Sequence, residues 1–439
     1  MKKVLVYGLG RTGISAVKTL SDLAYRVYTY DKNKQRIDQL EGYDYSPISE
    51  SEILDKDYDF VVKSPGIHPK DKILVSLAEK YEIISDIELS FRLFPNRKII
   101  AITGTNGKTS TTSMITHILN ESKVKALSVG NIGEGILYPM YKNPKAVFVS
   151  ELSSFQLKNV KNYHPHIASI LNITQDHIDW HGSFKDYIES KLNISKNQNK
   201  ADYLIINADD KILKAHKKDF KVRLYEFSSS KEVDRGAFIK DGAIYLRDDK
   251  SYKLAHLDDL TFIGRHNYEN IMVALLAAYL YGIKIDDIRR SIKTFRSIEH
   301  RLEYVDTIKG LRVYNDSKAT NVDSSLKALA SFDEDIILIA GGYDKKIDYE
   351  DFVKAFKKNG KLMILMGQTK DILKNLCEKY KIEYLLAQDM KEAVGLAFEN
   401  ASKGSILLLS PASASWGMYD NFEQRGDDFK KKVREFKDK

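Results

Sequence analysis

"KIIAITGTNGKTSTT", residues 98–112, decides how the rest of the chain is read. After Lys98 its first residues, Ile-Ile-Ala-Ile-Thr, are mostly apolar and β-branched with no strict polar alternation, which predicts a strand covered on both faces. Its last residues are hydroxyl-bearing and open a helix. Between the two, Gly104 and Gly107 let backbone N–H groups approach phosphate oxygens. Lys108 can reach β- and γ-phosphates as a point charge, and Thr109 offers a hydroxyl to Mg²⁺. The usual loop of this kind is G-x-x-x-x-G-K-[ST]; here Ile102 stands where the first glycine belongs, while the parts that do the binding remain. A capped helix start that merely contains Gly-Lys-Thr is the plainer alternative.

Outward from this loop the same grammar repeats. "KVLVYG" (3–8), "RVYTYD" (26–31), "DFVVKS" (59–64), "AVFVS" (146–150), "IASILNI" (167–173) and "YLIIN" (203–207) read as buried strands, as do "DIILIAGG" (335–342), "LMILMG" (362–367) and "SILLLS" (405–410). Helical patterns separate them, which predicts βαβ units and an α/β fold. Residues 220–263 carry short strands and turn signals without a helix, and predict an antiparallel insertion. "LFPNRK" (93–98) and "FRSIEHRLE" (295–303) mark breaks. The expected organisation is a Rossmann-like domain over 1–92, a central P-loop ATPase-like parallel sheet over 93–296 that carries the insertion, and a second Rossmann-like domain over 297–439.

Bulk composition narrows the function. The net charge of +8 comes from both signs interspersed through 439 residues, not from basic arms, so solvated helix faces account for it and nucleic acid is not an expected partner. Cys377 is the single cysteine, so no intrachain disulfide forms. The start "MKKVLVYGLG" resembles a signal peptide only briefly, since Gly10 and Arg11 end its apolar run. The longest apolar stretch, "IMVALLAAYLYGI" (271–283), is too short to span a bilayer. A reduced, cytoplasmic protein without membrane insertion is expected.

A second glycine turn stands at the amino end. "GLGRTG" supplies Gly8, Gly10 and Gly13 after a strand, and Asp31 ends the next strand, matching the dinucleotide fingerprint with its acidic residue. Taken alone it points to a nicotinamide or flavin enzyme, to a bare strand–helix turn, or to another nucleotide. Its geometry offers N–H groups to phosphates without choosing among them.

"TGTNGKTSTT" resembles the ATP-binding loop of the Mur ligase family of ATP-dependent amide-forming ligases. Further stretches are similar to that family's motifs in its order: "VGNIG" (129–133), "SELSSFQL" (150–157), "LNITQDHIDWHG" (171–182), "ESKLNI" (189–194), "GRHNYENIMVAL" (264–275), "EHRLE" (299–303), "YNDSKATN" (314–321), "AGGYDKK" (340–346) and "LLLSPASASWGMYDNFEQRG" (407–426). "SELSSFQL", "NDSKATN" and "NFEQRG" resemble the branch that adds D-glutamate to UDP-N-acetylmuramoyl-L-alanine in peptidoglycan precursor synthesis. The resemblance implies that the first turn holds the uridine diphosphate of a sugar nucleotide while the central loop holds ATP.

Residue roles follow from the resemblance. Gly104, Thr105, Asn106, Gly107, Lys108, Thr109 and Ser110 would hold ATP, with Asn267 and Asn270 near its adenine and Arg301 and Asp316 reaching it from the third domain, which His300 helps to open. Glu151 and His177 resemble magnesium ligands, with Thr109 as a third and Lys191 as a carbamate supporting a second ion. Lys108, Glu151, His177 and Lys191 are the expected catalytic set. Arg11, Thr12, Asp31, Lys32, Gly66, Asn131 and His177 fall where the branch holds the sugar nucleotide. Lys318, Thr320, Lys345, Ser415 and Phe422 match positions that grip D-glutamate; two cations and a hydroxyl suit an acceptor with two carboxylates. A monomer is expected. The competing readings are a nicotinamide-dependent oxidoreductase, a UDP-sugar sensor without turnover, and the same ligase with a different acceptor such as L-glutamate.

Overall fold

The computed structural model describes residues 1–260, 264–295 and 299–437. They form three sheets. The first is wholly parallel, in the order β3-β2-β1-β4-β5, with β1 Lys3–Tyr7, β2 Arg26–Tyr30, β3 Ser46–Pro47, β4 Phe60–Lys63 and β5 Ile83–Ile84. The chain reverses its direction of travel across the sheet at β1, the place where doubly wound sheets open a crevice beyond the carboxyl ends of their strands.

The second sheet has the order β14-β13-β12-β11-β10-β9-β6-β8-β7. Its strands are β6 Lys98–Thr103, β7 Ala126–Gly130, β8 Val147–Glu151, β9 Ile167–Ile170, β10 Tyr203–Asn207, β11 Arg223–Ser228, β12 Gly236–Lys240, β13 Ala243–Arg247 and β14 Ser251–His256. Every residue of β6 after Lys98 is buried, as expected of a central parallel strand.

The antiparallel insertion expected over 220–263 is present, but it starts later, at β12. β11 pairs parallel with β10, and β12 parallel with β11; only β12–β13 and β13–β14 are antiparallel. The short helix Lys211–His216 carries the chain across to β11, so the segment extends the parallel sheet before it turns into a meander. Residues 261–263 lie outside the described residues.

The chain divides into two compact units. The first holds residues 1–259 and 269–295, and therefore both of these sheets. The helix Arg11–Asp22 of the first sheet joins them. Ser15 Oγ donates to Gly135 O at 2.7 Å and accepts from the Tyr138 N–H at 2.8 Å. A Cβ at Gly135 would fall 2.7 Å from Arg11 O, so only glycine admits this approach. One apolar core runs through the join, from Ala16, Val17 and Leu20 to Ile136, Leu137 and Met140.

The second unit contains the third sheet, ordered β15-β16-β20-β17-β18-β19. It comprises β15 Glu303–Ile308, β16 Leu311–Asn315, β17 Ile336–Ala340, β18 Gly360–Leu365, β19 Tyr384–Leu386 and β20 Ile406–Leu409. A β15–β16 hairpin closes an otherwise parallel sheet. The break expected at 296/297 falls on residues 296–298, outside the described residues. Among the described residues no helix is long and apolar enough to cross a membrane.

The first glycine turn shows why its spacing matters. Gly8 has φ +97°, and a Cβ on Gly13 would sit 1.9 Å from Gly8 O. The helix can press against the turn only because Gly13 has no side chain. Gly13→Ala is therefore expected to lower the stability of the first unit by about 3 kcal/mol, since the clash is with backbone that cannot rotate away. Urea unfolding checks it; an unchanged midpoint would contradict this packing.

Candidate active site

The phosphate loop is held from beneath by one residue that the sequence reading did not single out. The Asn106 N–H donates to Asn172 Oδ1 at 2.9 Å, Asn172 Nδ2 donates to Asn106 O at 3.2 Å, and the Thr105 N–H donates to Asn172 O at 2.9 Å. Asn172 follows β9, the parallel neighbour of β6, so the clamp comes from strand order and is invisible in the local motif. Gly107 sits at φ +85° and starts the helix Lys108–Glu121. A Cβ there would meet Asn270 Oδ1 at 2.3 Å. Asn270 also accepts from Thr111 Oγ1 at 3.2 Å, which places its buried side chain against the loop and its helix.

Two lysines lie over this loop. Lys108 Nζ donates to Gly104 O and Thr105 O, each at 2.8 Å. Lys191, near the end of the helix Phe184–Leu192, donates to the same Gly104 O at 2.7 Å and lies 4.7 Å from the centre of the Tyr187 ring. Lys191 is only 2% exposed. Burial, and then repulsion from Lys108, holds its ammonium well below the ordinary lysine value.

Glu151 ends β8 at the carboxyl rim of the sheet. Its Oε1 accepts from Asn131 Nδ2 at 2.9 Å, whereas Oε2 is buried with no hydrogen-bond partner among the described residues. An ionised oxygen left in that state is costly, and a cation would relieve it. His177 has φ +53° and half its side chain exposed, with its ring 4.9 Å from that of Phe155. Among the described residues no three His, Cys, Asp or Glu side chains converge. A metal here would draw on Glu151 together with groups of other chemistry.

A cavity of about 910 Å³ connects the two lysines, Asn131 and His177 to the first glycine turn. Gly8, Gly10, Arg11, Thr12, Asp31, Lys32 and Gly66 line one side; Lys108, Asn131, His177 and Lys191 line the other. Asp31 acts partly as scaffold: its Oδ2 accepts from the Leu9 N–H at 2.5 Å and its Oδ1 from the Asn33 N–H at 2.7 Å. The sequence reading missed Tyr7 and Tyr30, whose rings stack 5.3 Å apart in the wall. They face each other in the β1–β2 register, which is where a signal for them existed. Asp71 accepts from Tyr7 Oη at 2.9 Å and lies 3.9 Å from Lys32 Nζ.

"SELSSFQL" supplies another part of the wall. Ser153 Oγ caps the short helix Ser154–Leu157. Ser154 Oγ lies 2.9 Å from His181 Nε2, and His181 Nδ1 lies 2.7 Å from Asp186 Oδ2. Behind it, Gln156 Nε2 donates to both oxygens of Asp86, at 3.3 and 3.2 Å. Asp86 is 1% exposed, and burial raises its carboxyl to about 6. Burial likewise lowers Lys63 to about 8.

In the second unit, Asp316 is buried and accepts from the Leu302 N–H at 3.1 Å and Ser410 Oγ at 2.9 Å. Burial raises it to about 7 against the pull of those bonds and of Arg301 and Arg425. Arg425, unremarked in the sequence reading, ties "NFEQRG" to "NDSK". Its Nε donates to Ser317 Oγ, its Nη2 to Ser317 O and its Nη1 to Ser413 O. This brings Lys318 Nζ to 4.8 Å from the Phe422 ring centre. Lys345 Nζ stands 5.4 Å from the Trp416 ring, next to buried Ser415. The Thr320 N–H donates to Lys318 O at 2.9 Å. His300 is buried with φ +64°, its Nδ1 accepting from Asn315 Nδ2 at 3.0 Å. The Asn267 N–H donates to Gly264 O at 3.0 Å, at the start of a helix.

A glycine loop opens a helix at the rim of a parallel sheet, two lysines lie over it, and a second glycine turn lines the same cavity as those lysines. Two family profiles match: "Mur ligase middle domain" over residues 102–278 and "Mur ligase, glutamate ligase domain" over residues 300–413. The chain belongs to the Mur ligase family. It is similar to the UDP-N-acetylmuramoylalanine–D-glutamate ligase of Thermoanaerobacter pseudethanolicus, with 40% identity over 450 residues and 99% of each chain covered. With the enzyme of that name from Clostridioides difficile it shares 39% over 449 residues, again with 99% of each covered. Among solved structures, the fold is similar to a UDP-N-acetylmuramate–alanine ligase of Thermotoga maritima (TM-score 0.61, 16% identity, 99% of this chain and 100% of that one). It is also similar to a pseudomurein peptide ligase type C of Methanothermus fervidus (TM-score 0.59, 19% identity, 99% of both).

The buried Asp86 yields a pH prediction. Its native value of about 6 lies above the ordinary 3.8, so the native state binds the proton more tightly than the unfolded chain does. Its contribution to stability is present below about pH 4 and is lost as the pH rises through about 6. Urea unfolding of Asp86→Asn against the parent is expected to show this fall removed, a relative gain of about 3 kcal/mol between pH 4 and 7. Parallel pH profiles for the two proteins would refute it.

Proposed function

We propose that this chain joins the alanyl carboxyl of UDP-N-acetylmuramoyl-L-alanine to the amine of D-glutamate, cleaving ATP to ADP and phosphate, in the building of a peptidoglycan precursor. The observation that carries the reading is the single cavity that Arg11, Thr12 and Gly66 share with Lys108 and Lys191. One ligand can thus place its diphosphate at the first turn and its far end at the ATP loop. Whole-length similarity to enzymes named for this reaction supports it.

The chemistry needs such a site. A free carboxylate is a poor electrophile, and transfer of the γ-phosphoryl group makes an acyl phosphate with a good leaving group. Two anions must then meet, so cations must offset their repulsion. In this reading Gly104 to Ser110 cradle the phosphates, and Lys108 swings from the loop carbonyls to the β- and γ-oxygens. Asn267 and Asn270 serve the adenine side, and Arg301 and Asp316 serve the phosphates. Asp31, Lys32, Asn131 and His177 complete the sugar-nucleotide site begun by Arg11, Thr12 and Gly66. Lys318, Thr320, Lys345, Ser415 and Phe422 take the acceptor's carboxylates and flank. The working division of the chain is 1–92, 93–296 and 297–439, as a monomer.

Magnesium fits the donor set: Glu151 has a buried oxygen with no hydrogen-bond partner among the described residues, and Thr109, His177 and a carbamate on Lys191 would complete two sites. When bound, it would supply positive charge between the phosphates and the carboxylate. Lys191 suits carbamate formation because burial favours its neutral amine. The lone pair of the neutral amine bonds to the carbon of CO₂ and one proton leaves the nitrogen, so a neutral amine becomes an anion; starting from the ammonium, two protons leave in all.

The deciding experiment is phosphate release from ATP with UDP-N-acetylmuramoyl-L-alanine, scanned over D- and L-amino acids. Release with D-glutamate and not with L-glutamate is expected; release with another acceptor alone would overturn the assignment. Lys108→Ala is expected to lower kcat by about 10²–10³-fold with unchanged thermal stability. Lys191→Ala is expected to be nearly inactive, with part of its activity restored by a small added carboxylate such as acetate. A fully active Lys191→Ala enzyme would exclude the carbamate.

A further inference from the structure

Ser153 and Ser154 are neighbours in sequence with different hydrogen-bond states. Ser153 Oγ donates to Gln156 Oε1 at 3.1 Å and accepts from the Gln156 N–H at 3.3 Å, so its capacity goes into the helix cap. Ser154 Oγ has one side-chain partner, His181 Nε2. Both serines line the main cavity, and Ser154 is 3% exposed.

The partners behind His181 set the direction of that bond. Lys158 Nζ lies 2.5 and 2.7 Å from the two oxygens of Asp186, which keeps the carboxylate ionised and able only to accept. The proton of the imidazole therefore sits on Nδ1, pointing at Asp186. The ring is packed between Phe155, Trp180 and Tyr187, away from water. Burial of the ring disfavours a second proton, so with Nδ1 protonated Nε2 accepts. Ser154 then spends its only hydrogen on His181, and what it presents to the cavity is lone pairs alone.

We propose that Ser154 Oγ is an acceptor-only contact for an amide N–H on the acyl arm of the sugar nucleotide, and that His181 and Asp186 are positioning residues that fix this polarity. The proposal rests on the function proposed above. An amide N–H is a donor without acceptor capacity on the same atom, so an acceptor-only oxygen recognises it. A carboxylate oxygen or an ester oxygen at that place would face lone pair against lone pair. The order Asp–His–Ser resembles that of hydrolytic enzymes. Here the serine's proton is directed away from the ligand to set hydrogen-bond polarity, and no covalent step is involved.

The test uses the full-length enzyme and steady-state kinetics. Ser154→Ala is expected to raise KM for UDP-N-acetylmuramoyl-L-alanine about five- to tenfold while leaving KM for ATP unchanged, the effect of one lost hydrogen bond. His181→Phe removes the acceptor at Nε2, which frees the Ser154 hydroxyl to turn its hydrogen toward the cavity, donor against donor. It is expected to raise the same KM, by no more than Ser154→Ala does. In the double variant the phenylalanine is expected to add nothing further, whereas two merely structural lesions would add. Ser154→Thr, which keeps the hydroxyl, is expected to restore KM. An analogue with an ester in place of the alanyl amide is expected to bind the parent about tenfold less well than the amide, a preference absent from Ser154→Ala.

Additive effects, or equal ester-to-amide ratios in the parent and Ser154→Ala, would overturn the inference. If a variant folds poorly, calorimetric binding of the amide and ester ligands to the parent alone still decides, because equal affinities contradict an N–H contact. A parent enzyme that binds neither UDP nor either ligand would instead remove the proposed function, and the inference with it.

Discussion

Two lysine nitrogens converge on one carbonyl oxygen. Gly104 O accepts from Lys108 at 2.8 Å and from Lys191 at 2.7 Å, and the rest of the site is arranged around that meeting. Burial disfavours a charge on Lys191, repulsion from Lys108 adds to it, and Lys191 gives way toward its neutral form. The carbonyl can face both lysines because Gly104, at φ +157°, takes a backbone conformation that a side chain would resist. Asn172 then fixes Thr105 and Asn106, and the helix Lys108–Glu121 leaves in the direction that Gly107 sets.

The rim of the second sheet converts strand order into chemistry. β8 and β9 flank β6, so Glu151 and Asn172 arrive on either side of the loop although 20 residues and more separate them in sequence. Gly130, paired with Glu151 across β7 and β8, brings Asn131 to the Glu151 carboxylate. One oxygen of that carboxylate is bonded and the other is buried without a hydrogen-bond partner among the described residues, an imbalance that a cation would relieve. The second unit shows a related economy: buried Arg425 uses all of its described bonds to bind two motifs of one sheet edge together, leaving Lys318 over Phe422.

Much of the fold could be read from local pattern, because buried parallel strands announce themselves as uninterrupted apolar runs and the two glycine turns mark their ends. The insertion was started too early because β11 follows a six-residue helix, Lys211–His216, too short for the 3.6-residue period to stand out. In the site, Lys108 and the glycines of the two turns could be singled out from their own motifs, whereas motifs read as wholes, such as 150–157 and 171–182, hid individual residues within them. Those missed were Asn172, Tyr7 with Tyr30, and Ser154 with His181 and Asp186. Each matters through a partner distant in sequence or in an adjoining strand, and no single stretch encodes that pairing. Arg425 was hidden for another reason: an arginine in a polar helix start looks solvated until the chain closes over it.

The join at Ser15 and Gly135 has a consequence for ligands of two heads. Because the helix Arg11–Asp22 is stitched to the segment after β7, both glycine turns belong to one compact unit with a common core. A molecule whose ends reach both turns needs no protein rearrangement within that unit to be gripped twice. Its second anchor then meets its pocket at an effective concentration set by the ligand's own tether, on the order of millimolar for a short flexible one. A stiff linker cut to the span would do better still, so tether length and rigidity, more than the strength of either head, would govern how tightly such a compound is held.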